Sequence, residues 1–140
     1  KNNDMAKVNV TLSLSSTDLF AKQTLSFTET DALTPVGDQQ IVGRIVTSGA
    51  STKDNLVSKA LDGTNDRAYL YMKNLSVVSG EYLKISLCAA HGTDSAAGDW
   101  FATLGPGEFL FIPISDMQDL DVEPAAGNPA FEYVVMEKAA

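Results

Sequence analysis

Few side chains in this sequence have the types and spacing that chemistry needs. The densest grouping is acidic, Asp116, Asp119, Asp121 and Glu123. Asp119, Asp121 and Glu123 stand two residues apart, so on an extended strand their carboxylates share one face. Hard oxygen ligands of this kind are what Ca²⁺ takes. The alternative is a solvent-facing polar strand face opposite Leu120 and Val122. The stretch lacks the glycine and carbonyl ligands of a calcium loop, so Asp119, Asp121 and Glu123 remain a calcium candidate behind that plain reading. Asp62-Gly63-Thr64-Asn65-Asp66 reads as a turn.

Nucleophilic chemistry fares no better. A Ser-His-Asp arrangement needs a base, and His91 is the sole histidine. It lies in a glycine-rich stretch without a G-x-S-x-G elbow and reads as an exposed loop residue. Cys88, the one cysteine, sits in an apolar strand and reads as a small buried hydrophobe; it can form neither an intrachain disulfide nor a thiolate metal cage. Gly105-Pro106-Gly107-Glu108 fits a type II turn, and no helix follows it to cradle phosphate. No pair of carboxylates stands out for glycoside hydrolysis. The sequence therefore assigns no catalytic residue and no cofactor. Asn9-Val10-Thr11 and Asn74-Leu75-Ser76 match the glycosylation acceptor pattern, which is common by chance. Tyr69, Tyr71, Phe109, Phe111 and Tyr133 alternate within strands, a spacing that suits core or subunit contact better than a sugar-stacking platform.

The elements that would carry these residues have a period of two. Val8, Val10, Leu12 and Leu14 alternate with small polar residues, as a half-buried strand requires. Leu25 and Phe27 repeat the pattern, and Pro35-Val36-Gly37-Asp38 reads as a break. Strands are expected over 40–47, 67–74, 82–89, 100–104, 109–114, around Leu120 and Val122, and over 131–137. Residues 53–61 are ambiguous between strand and helix, and 91–99 read as a surface loop. Pro113 marks a strand end or a sheet edge. Eight or nine short strands between turns point to an all-β sandwich or barrel, and the expected fold is an antiparallel β-sandwich, jelly-roll-like. Leu12, Leu25, Ile45, Leu70, Ile85, Leu87, Ile112 and Val135 are expected to be buried. The expected organisation is a flexible arm over 1–7 followed by one domain over 8–140.

Composition narrows the partners. The 140 residues carry 10 basic and 18 acidic side chains, a net charge of −8. Phosphate backbones and anionic membranes are bound through Lys and Arg, so neither nucleic acid nor membrane is an expected partner. The longest apolar run, Phe109 to Ile114, is strand length, far short of the roughly 20 residues a membrane helix needs. Residues 1–7 have no apolar segment and do not read as a secretory signal; Met5-Ala6-Lys7 looks like a translation start.

Several stretches together resemble a family. The opening Met5-Ala6-Lys7-Val8-Asn9-Val10-Thr11-Leu12-Ser13-Leu14-Ser15-Ser16 is similar to the start of small virion proteins of tailed bacteriophages, marine and cyanophage-like ones especially. Tyr69-Leu70-Tyr71-Met72-Lys73-Asn74, Leu83-Lys84-Ile85-Ser86, Trp100 through Phe109 and Phe131 through Glu137 extend the resemblance over most of the chain. Residues 48–66 and 91–99 stand outside it. The resemblance implies a non-enzymatic structural protein of the virion. The leading expectation is a capsid decoration, or cement, protein on the shell exterior, a homotrimer in contact with the major capsid protein. The alternatives are a tail, neck or fibre component and, in another class, an extracellular carbohydrate-binding or adhesive β-sandwich module.

Overall fold

The structure is a computed structural model that describes residues 8–19, 23–33, 35–47, 49, 53–55, 68–88, 100–114 and 119–138. Side chains are described within 8–17, 24–32, 68–86, 100–114 and 120–136 and at 43, 47, 49 and 53. The chain divides into two compact units, Lys1–Pro35 and Val36–Ala140, where the sequence suggests an arm over 1–7 and one domain over 8–140.

The first unit is an antiparallel ribbon of β1 (Val8–Leu19) and β2 (Gln23–Leu33). The register pairs Val8 with Leu33, Leu12 with Glu29, Leu14 with Phe27 and Ser16 with Leu25. Alternation then sorts the side chains by type. One face holds Val8, Val10, Leu12, Leu14, Leu25 and Phe27. The other is a hydroxyl ladder, with Thr11 Oγ1 3.2 Å from Thr30 Oγ1 and Ser13 Oγ 3.4 Å from Thr28 Oγ1.

The second unit holds β3 (Pro35–Val46), β4 (Asp54–Asn55), β5 (Ala68–Asn74), β6 (Leu83–Cys88), β7 (Trp100–Leu104), β8 (Phe109–Ile114), β9 (Asp119–Pro124) and β10 (Ala130–Lys138). They form two four-stranded sheets, ordered β3-β10-β5-β8 and β4-β9-β6-β7. Pairing is nested: β6 with β7, β5 with β8, β4 with β9 and β3 with β10. A long hairpin rolled so that its strands alternate between two sheets has this order, which is the jelly roll. The all-β, antiparallel, jelly-roll expectation holds.

Side chains from both sheets meet in one core: Ala68, Leu70, Met72, Ile114, Phe131, Tyr133 and Val135 from the first, Leu83, Ile85, Leu104, Leu120 and Val122 from the second. Of the residues expected inside, Leu70, Ile85 and Val135 are fully buried, and Ile112 packs partly buried against the core. The side chains of Ile45 and Leu87 lie outside the described residues. Leu12 and Leu25 correct the expectation, being 47% and 36% exposed. Alternation says that one strand face is apolar; it does not say that a second layer covers it.

Two local devices shape the body. Gly43 lets the Tyr133 ring lie against β3, since a Cβ there would stand 2.5 Å from Tyr133 Cε1. Gly105-Pro106-Gly107-Glu108 is the expected turn, with Gly107 at φ 77°, the Glu108 N–H bonded to the Gly105 carbonyl at 3.0 Å, and the Glu108 carboxylate accepting from the Gly105 N–H at 2.7 Å. The strand over residues 35–46 starts on Pro35, within the expected break, because proline is tolerated as the first residue of a strand.

Candidate functional site

Asp121 and Glu123 do share the outward face of β9, away from Leu120 and Val122. Glu123 is engaged by Lys84 Nζ at 3.6 Å, which neutralises it across the strand pair Lys84–Glu123. Asp121 is fully buried opposite Ser86, itself fully buried, and each has an electrostatic or hydrogen-bond partner. The side chain of Asp119 is outside the described residues, and its backbone pairs with Cys88. Among the described residues no three His, Cys, Asp or Glu side chains converge as metal ligands. His91, the Cys88 side chain and Asp62 through Asp66 also lie outside the described residues.

Beside Lys84 the sheet carries a feature that alternation does not reveal. The β6–β7 register shifts between Ile85 and Ser86, pairing Ile85 with Ala102 and Ser86 with Trp100. This bulge leaves Phe101 as the extra residue and turns Trp100 onto the outer face. Lys84 Nζ then stands 5.1 Å, and Lys53 Nζ 5.9 Å, from the indole centroid. Both distances are within cation–π range.

The larger feature is the outer face of the β3-β10-β5-β8 sheet. Tyr69, Tyr71 and Lys73 of β5 turn away from the core, since Ala68, Leu70 and Met72 turn into it. Across the register Tyr71 meets Phe111 and Val134, Tyr69 meets Pro113 and Met136, and Lys73 meets Phe109 and Glu132. Tyr69 and Phe111 stack with centroids 5.5 Å apart and planes at 16°. The Tyr71 hydroxyl donates to Glu132 Oε1 at 2.9 Å. Burial, then the bond to Glu132 and its charge, raise the Tyr71 pKa above the ordinary tyrosine value. Phe109 is 61% exposed. The aromatic alternation thus splits: Phe131 and Tyr133 go inward, while Tyr69, Tyr71, Phe109 and Phe111 form an outward patch.

That patch reaches a sheet edge. β8 is the last strand of its sheet and carries the exposed Pro113, which has no N–H to offer a further strand. Contact through the face is therefore open there, and continuous edge pairing is not.

The end of the body near the 105–108 turn is locked by Asn74. This residue is fully buried, its Nδ2 donates to the carbonyls of Glu81 (2.8 Å) and Leu104 (3.1 Å), and its Oδ1 accepts from Ser76 N–H (3.0 Å). Both amide hydrogens are used, so the acceptor pattern at Asn74 is a structural hub and no site for a glycan on the folded chain. Beyond it the loop presents Val77, 93% exposed, and Val78.

Among the described residues no helix is long and apolar enough to cross a membrane. No protein-family model and no curated protein matches the sequence. Among solved structures the chain is similar to a chain of Bacillus endospore appendages, described as a novel family of disulfide-linked pili. The two share 13% identity at a TM-score of 0.48, over 72% of this chain and 88% of that one.

Proposed function

We propose that this chain is a non-enzymatic structural protein of a tailed-phage virion, a capsid decoration protein that sits on the shell exterior as a homotrimer against the major capsid protein. The observation that carries the reading is the outward aromatic face of Tyr69, Tyr71, Phe109 and Phe111 on a closed two-sheet body. A contiguous apolar patch of this kind on a soluble domain marks a contact surface. The net charge of −8 supports a place outside a DNA-filled shell, where Lys and Arg are not needed to meet phosphate. The resemblance of residues 5–16, 69–74, 100–109 and 131–137 to phage virion proteins supplies the setting. The test is copy number and position in purified particles, by quantitative mass spectrometry and labelling microscopy. Several hundred copies over the head are expected; tens of copies at the tail or neck would replace the decoration reading with a tail or fibre component.

A second reading rests on the outward Tyr69 and Phe111 rings, because aromatic side chains on a sheet face also suit sugar rings. In that case the isolated chain binds on a glycan array, and Phe111→Ala abolishes the signal.

A further inference from the structure

We infer that β1 of one copy pairs edge to edge, antiparallel, with β1 of a second copy, joining two ribbons into one four-stranded sheet of order β2-β1-β1-β2. The contact goes beyond the structural-protein reading above and rests on none of it, because both edges belong to this chain.

The β1–β2 sheet has two strands, and its described side chains are exposed or half-buried. A two-stranded ribbon is marginal in water, whereas three or more strands with an apolar face are independently stable. Each ribbon strand also keeps one row of backbone N–H and C=O groups turned away from its partner, a template for a further strand.

A survey of the edges singles out β1. Six strands end their sheets, namely β1, β2, β3, β4, β7 and β8. Five of them carry a device that discourages a further strand. β8 has Pro113, and β3 has Pro35, Asp38 and Arg44. β4 spans two residues, and β7 spans five and is bulged against β6. β2 carries Glu29 and Asp31 within its paired stretch. β1 has no Pro, Gly, Lys or Arg, and its one acid, Asp18, lies beyond the regular register that ends at Ser16.

The same strand is complementary to itself, which selects a second copy as the partner. Antiparallel pairing about Leu12 sets all nine residues from 8 to 16 against their counterparts. Leu12 meets Leu12, Val10 meets Leu14, Thr11 meets Ser13 and Asn9 meets Ser15. The apolar row therefore runs on as an apolar row. On the other face the hydroxyl ladder continues from Thr30 and Thr11 to Ser13 and Thr28 of the second copy. Cross-strand pairs of apolar residues and of hydroxyls are both favourable.

Charge fixes which edges meet and where growth ends. Glu29 and Asp31 stand on the apolar face, opposite Leu12 and Val10. Pairing β2 with β2 would put four carboxylates on the two central strands of that face. Pairing β2 with β1 would hold the acids between two apolar strands. Pairing β1 with β1 leaves them on the outer strands, where they still discourage a further strand. The contact is isologous and closes at two copies.

The experiment is sedimentation of the purified full chain with three variants. Thr11→Lys with Ser13→Lys, and Thr11→Glu with Ser13→Glu, set like charges against each other across the twofold. Thr28→Lys with Thr30→Lys puts the same charge on the outer strand. All four side chains are exposed and lie off the apolar row, so far-ultraviolet circular dichroism should match wild type. Wild type and the Thr28/Thr30 variant should sediment at twice the mass of either Thr11/Ser13 variant alone. The lysine and glutamate forms of the Thr11/Ser13 variant, mixed in equal amounts, should regain the doubled mass, because opposite charges then meet. A wild type no heavier than the Thr11/Ser13 variants overturns the inference, as does one more than twice as heavy. So does a mixture that fails to regain the doubled mass, or a Thr28/Thr30 variant that loses it. Copy number on particles has no bearing on these outcomes, so this inference and the decoration reading fall separately.

Discussion

Replacing Asn74 should cost more than any surface substitution in the second unit. In Asn74→Ala the Leu104 carbonyl, in a buried bond, loses its donor, which costs about 1–3 kcal/mol. The bonds to Glu81 O and Ser76 N are partly exposed and cost about 0.5–1.5 kcal/mol each. The sum is about 2–6 kcal/mol, or roughly 10–30 °C in Tm for a unit of this size. The backbone bonds from Asn74 N–H to Glu108 O and from Gly107 N–H to Asn74 O survive, so folding itself should persist. Asn74→Asp is sharper. It sets a carboxylate oxygen against the two carbonyls that Nδ2 now serves, at 2.8 and 3.1 Å, so repulsion replaces both donations. The buried Asp is held above its unfolded pKa of about 3.9. A raised pKa contributes stability that is present below that unfolded value and lost as pH rises through the folded one. Asn74→Asp should therefore be worse than Asn74→Ala at pH 7 and recover most of the gap near pH 4. Urea unfolding followed through Trp100, the single tryptophan, reads both variants in the same unit. An Ala cost under about 1 kcal/mol, or an Asp variant equal to wild type at pH 7, would refute the hub.

Gly43→Ala should destabilise by about 1–3 kcal/mol in chemical denaturation, because the added Cβ meets the Tyr133 ring at 2.5 Å. Burial raises the Tyr133 pKa and, with the Glu132 bond, that of Tyr71; both groups favour the fold while neutral. Stability should thus be full below pH 10 and fall as pH rises beyond it. Melting from pH 8 to 11 should show a smaller loss in the Tyr71→Phe, Tyr133→Phe double variant. Leu70→Ala should cost about 2–5 kcal/mol in urea unfolding, whereas Leu14→Ala should leave the Trp100-detected transition in place, since Leu70 is fully buried and Leu14 is not.

The body was legible in the sequence where local chemistry and global fold agree. Residues 68–74 alternate strictly and bury every second side chain, and the Gly-Pro-Gly-Glu turn is where proline and glycine require it. What alternation cannot carry is the identity of the covering layer. Leu12 and Leu70 both hold the apolar position of an alternating strand, yet Leu70 is fully buried in the two-sheet core and Leu12 is 47% exposed. Trp100 was hidden for another reason, since a one-residue bulge reverses the face of everything beyond it. β4 spans two residues, Asp54–Asn55, too short for any periodicity. The outward aromatic face was half visible: the spacing put Tyr69 with Tyr71 on one side of their strand and Phe109 with Phe111 on one side of theirs, and only the register of β5 against β8 and the core on the opposite face bring the two pairs together on the outside.

The nested pairing of the eight body strands also sets an order of assembly. Once β6 and β7 meet across the segment from Cys88 to Trp100, their outer ends hold β5 and β8 close together. Each further rung then closes only a short additional stretch, and loop-closure entropy grows merely as the logarithm of length. The molecule can zip outward from β6–β7 without a long search at any step, although the mean sequence separation of its contacts is that of a slow β fold. β3, paired with β10 at a sheet edge, joins last and frays first. Hydrogen exchange should accordingly show protection falling from β5 and β6 to β3, so the strand that follows the ribbon opens at less cost than the strands at the centre of the nest.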